Sequence, residues 1–210
     1  MRIHTLLLTL MALGAGSSHA TLVAHWMLND GAGSSIADSS GNGRTANQAG
    51  GAAGPTLGSA GIEGTASTFG DAGYWATGTD AAFASRSFTV SLWIKAEPAT
   101  GTWRSPISNR NGENGFIIYR SLNNSSIQFW LKDASDWNPQ AAPNITDFNQ
   151  WYHVVGSFDD TTNEKKFYFH GESDPWGTLI NTVTTDEYIA GVSALGIGGR
   201  GPNGDSPWGS

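Results

Sequence analysis

The chain contains no cysteine, which excludes a disulfide framework, a thiolate zinc site and thiol chemistry. Charge is also scarce. Asp, Glu, Lys and Arg make up 14% of the 210 residues, with 18 acids against 11 bases. Together with a hydrophobic fraction of 39%, this is not the composition of a disordered tail or a long exposed helix. The shortage of bases leaves a net charge of -7, which repels the phosphate backbone and argues against a nucleic-acid partner. It also repels anionic membrane surfaces. Long apolar runs are missing after the first twenty residues, so no further stretch is suited to a membrane span. No segment holds a 3.6-residue apolar period for three turns, and helix is therefore expected to be minor.

The first twenty residues read as a removable export signal. Arg2 and His4 precede an apolar run from Leu6 to Ala15, and Ser18-His19-Ala20 offers small residues where a signal peptidase cuts. Residues 1–20 are thus expected to be a signal peptide and residues 21–210 a single secreted domain, extracellular or periplasmic. Loss of Arg2 takes the net charge from -7 to -8.

Glycine and tryptophan are abundant, at 28 and 9 residues. The first implies many turns, the second large core fillers or flat binding surfaces. In the run Phe88 to Lys95, Phe88, Val90, Leu92 and Ile94 share one face and Thr89, Ser91, Trp93 and Lys95 the other, the signature of a half-buried strand. Shorter runs of strand character lie at 22–28, 66–69, 74–76, 115–120, 126–132, 151–158, 165–170, 179–183 and 195–198. Asn-Asn, Asp-Asp and Asn-Gly pairs punctuate them. Residues 31–66, 99–114 and 133–149 read as loops. Many short strands at such spacing imply an all-β sandwich or barrel.

Three runs carry a family resemblance. They are Leu22-Val23-Ala24-His25-Trp26-Met27-Leu28-Asn29-Asp30 with Asp38-Ser39-Ser40-Gly41-Asn42-Gly43, then Ser87 to Lys95, then Gln150 to Phe158. In this order and spacing they resemble laminin-G-like domains of the concanavalin-A-like lectin and glucanase superfamily. The resemblance implies a two-sheet antiparallel jelly-roll sandwich that binds a glycan or a cell-surface or extracellular protein. It also implies, in many members, a calcium ion near the first loop. Such domains close with a strand beside the first one. This sequence reaches Ser210 where that strand should begin, so a C-terminally incomplete sandwich is expected.

The residues themselves offer two kinds of site. Asp30, Asp38 and Asn42 bring oxygens together in one Gly-rich loop, which suits either calcium or a network of Asx turns. Trp103, Trp137 and Trp176 stand in turn-rich contexts. Arg104 and Asn138 beside them could hydrogen-bond sugar hydroxyls while the indoles stack on the apolar face of a pyranose. The alternative is that these rings fold back over the core edge. Trp26 and Trp151 read as core. Trp93 and Trp130 could line a sheet face.

Catalysis finds little support. Glu172-Ser173-Asp174 is the nearest approach to a glycosidase carboxylate pair, and Pro175 follows with no second glutamate. His25, His153 and His170 are scattered with no partner nearby in sequence, and no nucleophile elbow is present. Gly196 to Gly201 lacks the Lys-Ser/Thr ending of a phosphate loop. The expectation is a non-catalytic recognition module, with carbohydrate as first ligand class and protein as second; a polysaccharide-degrading enzyme with an unfamiliar site is the third reading.

Overall fold

The computed structural model describes residues 20–51, 54–70, 73–98, 101–112, 114–123, 125–174 and 178–199. Most of the expected signal peptide, residues 1–19, lies outside this set, as does Trp176. Among the described residues the strands are β1 (Ser35–Ile36), β2 (Ala46–Gly50), β3 (Thr56–Ala60), β4 (Thr65–Thr68), β5 (Gly73–Thr77), β6 (Phe88–Ile94) and β7 (Arg104–Ser108). They continue with β8 (Phe116–Arg120), β9 (Ser126–Lys132), β10 (Trp137–Asn144), β11 (Tyr152–Asp159), β12 (Glu164–Gly171), β13 (Leu179–Thr184) and β14 (Gly196–Ile197). One 3-10 turn, Ala81–Ala84, is capped by the Asp80 carboxylate.

Two sheets face each other. One has eight strands in the order β1-β2-β5-β14-β7-β8-β9-β10, the other four in the order β13-β12-β11-β6, and every pairing is antiparallel. A separate hairpin joins β3 to β4. The all-β sandwich is thus observed. β6 packs as its alternation requires. The Phe88 ring lies inward, 4.8 Å from Phe116 of the opposite sheet and edge-on to Phe129 at 6.4 Å. Val154 and Phe167 continue this core, both fully buried. A second cluster, Ile36, Ala46 and Trp75, fills the β1-β2-β5 end.

Close packing leaves one position with no room for a side chain. A Cβ on Gly156 in β11 would stand 2.9 Å from three carbons of the Phe129 ring. That ring is fully buried and has nowhere to retreat. Gly156→Ala should therefore lower the unfolding free energy by about 1–3 kcal/mol, measured by urea denaturation. An unchanged midpoint would mean that the two sheets part here more easily than their packing implies.

Three expectations need correction. Residues 22–28 join no ladder among the described residues, although they are rich in strand formers. Their backbone is held by side chains instead: Asn42 donates to the carbonyls of Leu22 and Val23, Arg44 to that of Val23, and Thr65 to that of Leu28. Residues 31–66, read as loop, supply β1 to β3 and the start of β4. The two polar stretches 99–114 and 133–149 contain β7 and β10. Prolines hid both. Pro139 and Pro143 lie in β10, which is an edge strand, where a missing N–H costs no ladder bond. Pro106 lies at the irregularity in the β7–β8 register between Arg104 and Ile107.

Candidate functional site

The register of β8, β9 and β10 gathers aromatic side chains on one face of the sheet. Ile127, Phe129 and Leu131 of β9 point into the core, so Gln128, Trp130 and Lys132 point outward. Cross-strand pairing puts Tyr119 beside Gln128, Ile117 beside Trp130, and Trp137 beside Lys132, all on this outer face. Trp103 stands immediately before β7 and turns onto the same surface. Its ring centroid is 5.1 Å from that of Tyr119 and 5.9 Å from that of Trp130, and Trp130 is 6.4 Å from Trp137. The three tryptophans are each half-buried.

Polar groups frame the rings. The Arg110 guanidinium lies over Trp137, 4.6 Å from the ring centroid, and donates to the Tyr119 hydroxyl and the Gly112 carbonyl. This stacked cation fixes both ring and fork. Trp130 Nε1 donates to Gln128 Oε1 at 2.8 Å. Asp136 accepts from the Trp137 N–H and lies 3.5 Å from Lys132 Nζ, and these two contacts hold its carboxyl below the usual range. The result is a cluster of rings, tilted or edge-on to one another and bordered by amide, guanidinium, ammonium and carboxylate. Such a surface offers apolar contact beside hydrogen-bonding groups.

The expected ligand residues separate here. Trp103 and Trp137 come together in this surface, joined by Trp130. Arg104 and Asn138 do not join them. Arg104 is buried at the head of β7 opposite Arg120, whose guanidinium donates to the Glu97 and Pro98 carbonyls. Asn138 alternates inward from Trp137, and its oxygens accept from Lys165 in the opposite sheet. Tyr119 and Arg110 were missed. Tyr119 could have been found from its phase, one residue off the inward Phe116 and Ile118, whereas Arg110 carries no sequence signal.

The first loop does not assemble an oxygen cage. Asp38 Oδ1 accepts from the N–H groups of His25 and Ser40, and Oδ2 from the Ser40 hydroxyl and the Arg44 N–H, each at 2.9 Å. Asn42 turns its NH₂ inward to the Leu22 and Val23 carbonyls, and Asp30 Oδ1 accepts from Ala37. Gly41 and Gly43 take left-handed φ values of 88° and 71°, as these tight turns require. Each oxygen of Asp38 already receives two hydrogens, so a calcium ion would have to displace them. The donor set fits the turn network and not the ion. Partial burial pushes the Asp38 carboxyl up, but the His25, Ser40 and Arg44 hydrogen bonds outweigh it and hold the group well below the carboxylate range.

Glu172 and Asp174 lie in the turn after β12. Asp174 accepts from the Gly171 N–H, and Glu172 is exposed. Both thus stand in a turn and not on a strand face.

The family described as concanavalin A-like lectin/glucanases superfamily, of the laminin-G type, matches residues 69–209, two-thirds of the chain. No curated protein sequence matches. Among solved structures, the chain is similar to domain 4 of AbnA, a GH43 extracellular arabinanase from Geobacillus stearothermophilus, in complex with arabinotriose. The TM-score is 0.52 at 18% identity, over 82% of this chain and 89% of that one. It is similar to the binding domain of botulinum neurotoxin serotype D, with TM-score 0.56 and 14% identity, over 80% of this chain and 43% of that one. A weaker likeness is to the CBM40 of the Ruminococcus gnavus IT-sialidase bound to alpha2,3 sialyllactose, with TM-score 0.47 and 18% identity, over 61% and 73%.

Proposed function

We propose that this chain, which belongs to the concanavalin A-like lectin/glucanases superfamily, is an exported, non-catalytic recognition domain that binds carbohydrate or glycoconjugate on its eight-stranded sheet. The observation that carries this reading is the surface of Trp103, Tyr119, Trp130 and Trp137 with Arg110 stacked on its edge. Half-buried indoles cost little further ordering on binding, and their faces complement the C–H side of a sugar ring. Gln128, Arg110 and Lys132 are placed to meet hydroxyls at the border. The surface is open rather than a closed pocket, so single-site affinity is expected to be weak and avidity from repeated ligand units important. Export rests on the leader-like residues 1–20, and calcium has no part in this reading.

The test is a glycan array followed by titration of the best-bound glycan. Trp137→Ala and Trp130→Ala should each weaken binding at least tenfold, about 1.4 kcal/mol or more. Both side chains lie outside the core, so circular dichroism should be unchanged. Glycan binding that survives both variants, or no glycan binding at all, would overturn the assignment.

A further inference from the structure

The opposite side of the sandwich carries a cluster unrelated to the aromatic surface. In the four-stranded sheet, Trp93, His153 and His170 form one cross-strand row, Trp93 paired with His153 and His153 with His170. The inward residues of these strands are Ile94, Tyr152 and Gly171, so the row lies on the other face of the sheet, with Trp93 and His153 half-buried and His170 buried. His153 Nδ1 and His170 Nε2 approach to 3.2 Å. The far nitrogens are also engaged: His170 Nδ1 lies 3.0 Å from the Gly171 carbonyl, and His153 Nε2 lies 2.8 Å from the Ser91 hydroxyl.

These partners set the tautomers. A carbonyl only accepts, so His170 keeps its proton on Nδ1 and presents a bare Nε2. With no ion present, His153 must place its proton on Nδ1, between the rings, and accept from Ser91 at Nε2. The alternative needs no extra proton. If His153 moves its proton to Nε2 and the Ser91 hydroxyl turns to accept it, both facing nitrogens expose lone pairs. Nitrogens bound at ~2.05 Å to one tetrahedral ion stand about 3.3 Å apart, close to the spacing found. The carbonyl and hydroxyl behind the rings are then the outer partners that metal-bound imidazoles use.

We infer that His153 and His170 form a two-histidine site, half-exposed at His153 and buried at His170, for a borderline divalent metal ion such as Zn²⁺. Imidazole nitrogen selects for zinc, nickel and copper over calcium and magnesium. Among the described residues no group of three histidine, cysteine or carboxylate side chains converges, so water or a ligand donor completes the coordination. An ion here is accordingly held in the micromolar range rather than locked in as a structural element.

The test uses the full chain without a polyhistidine tag. Calorimetric titration with ZnCl₂ in a non-chelating buffer should give one ion per chain. CuCl₂ should quench tryptophan fluorescence, because the Trp93 ring lies 4.9 Å from His153. Trp93→Phe should keep zinc binding and lose most of the quenching. His153→Gln and His170→Gln should each weaken zinc binding at least tenfold, whereas His25→Gln should leave it unchanged. If the buried His170 variant fails to fold, the half-exposed His153 variant decides. Zinc affinity in the wild type no greater than in His153→Gln overturns the inference. Glycan binding on the other sheet is read separately, so neither result depends on the other.

Discussion

Replacing Lys165 by methionine should raise the unfolding free energy at pH 7 by about 1–3 kcal/mol. Lys165 is fully buried, on an inward position of β12 paired with Phe158 on one side and Val183 on the other. Its ammonium donates to the Asn138 carbonyl, with the Phe129 carbonyl at 3.4 Å and the Phe129 ring centroid at 5.5 Å. Burial pushes the Lys165 amine down to about 7, against the opposing pull of the Asp133 carboxylate. The gap from the ordinary 10.5 corresponds to on the order of 4 kcal/mol of penalty for placing this amine in the core. Methionine fills similar space with a flexible apolar chain and removes that penalty. It also removes the donor to the Asn138 and Phe129 carbonyls, which returns part of the gain.

The pH dependence identifies the cause. Between pH 7 and about 10 the unfolded chain holds the Lys165 proton and the folded chain does not, so wild-type stability should climb with pH in that window. Well below pH 7 both states hold the Lys165 proton, and the contribution of Lys165 to the slope vanishes. Above about pH 10 the sign reverses, because burial raises the Tyr188 hydroxyl to about 12 and the unfolded chain then loses protons first. The methionine variant should be flat from pH 7 to 10. Lys165→Arg should be worse than wild type by several kcal/mol, about 3 or more, since a guanidinium cannot shed its charge. Urea denaturation across pH 6–10 measures all three. A wild-type curve flat over pH 7–10, or a methionine variant that is less stable, would show that the amine reaches water.

What was legible in the sequence was what local pattern controls. The alternation of Phe88 to Ile94 states both the strand and its inner face, because one face of β6 meets the opposite sheet and the other meets solvent. The run 126–132 appears as β9 with the same bounds for the same reason. Trp103 and Trp137 were legible as surface aromatics because turn residues surround them. Illegible were features set by register. Trp130 joins Trp103 and Trp137 only through the pairings of β8, β9 and β10. His153 and His170 meet only because β11 and β12 pair with those two residues directly opposite. Asn138 looked available beside Trp137, but strand alternation sends neighbours to opposite faces, so a polar residue next to a ligand-facing ring turns inward. Residues 22–28 show the converse failure, where β-branched and aromatic composition is present but the hydrogen-bond partner is a set of side chains.

The residue on which that partner set depends is Asp38, and Asp38→Ala should lower the unfolding free energy by about 2–3 kcal/mol. One carboxylate accepts from His25, twice from Ser40 and from Arg44, tying residues 22–28 to the turn that follows β1. The tie is extended by Ser39, whose N–H donates to the His25 carbonyl, and by Trp26, whose indole donates to Arg44. Trp26 in turn packs on both core clusters and sits 6.2 Å from Phe83, so loosening the segment uncovers core. Asp38→Asn should cost about half as much, because one amide oxygen retains part of the acceptor set. The depressed pKa gives a further signature. Stability contributed by Asp38 is complete above the ordinary carboxylate range and is lost as pH falls below about 4, whereas Asp38→Ala should lack this acid-side loss. Hydrogen exchange at the Ser40 and Arg44 amides should accelerate in the variant ahead of exchange in β9 and β11. Because the carboxylate is occupied by these donors, added CaCl₂ should leave the wild-type melting temperature unchanged. A calcium-induced rise in melting temperature that disappears in Asp38→Ala would mean that the loop opens to hold an ion. A stability change below about 0.5 kcal/mol would mean that water replaces the carboxylate at little cost.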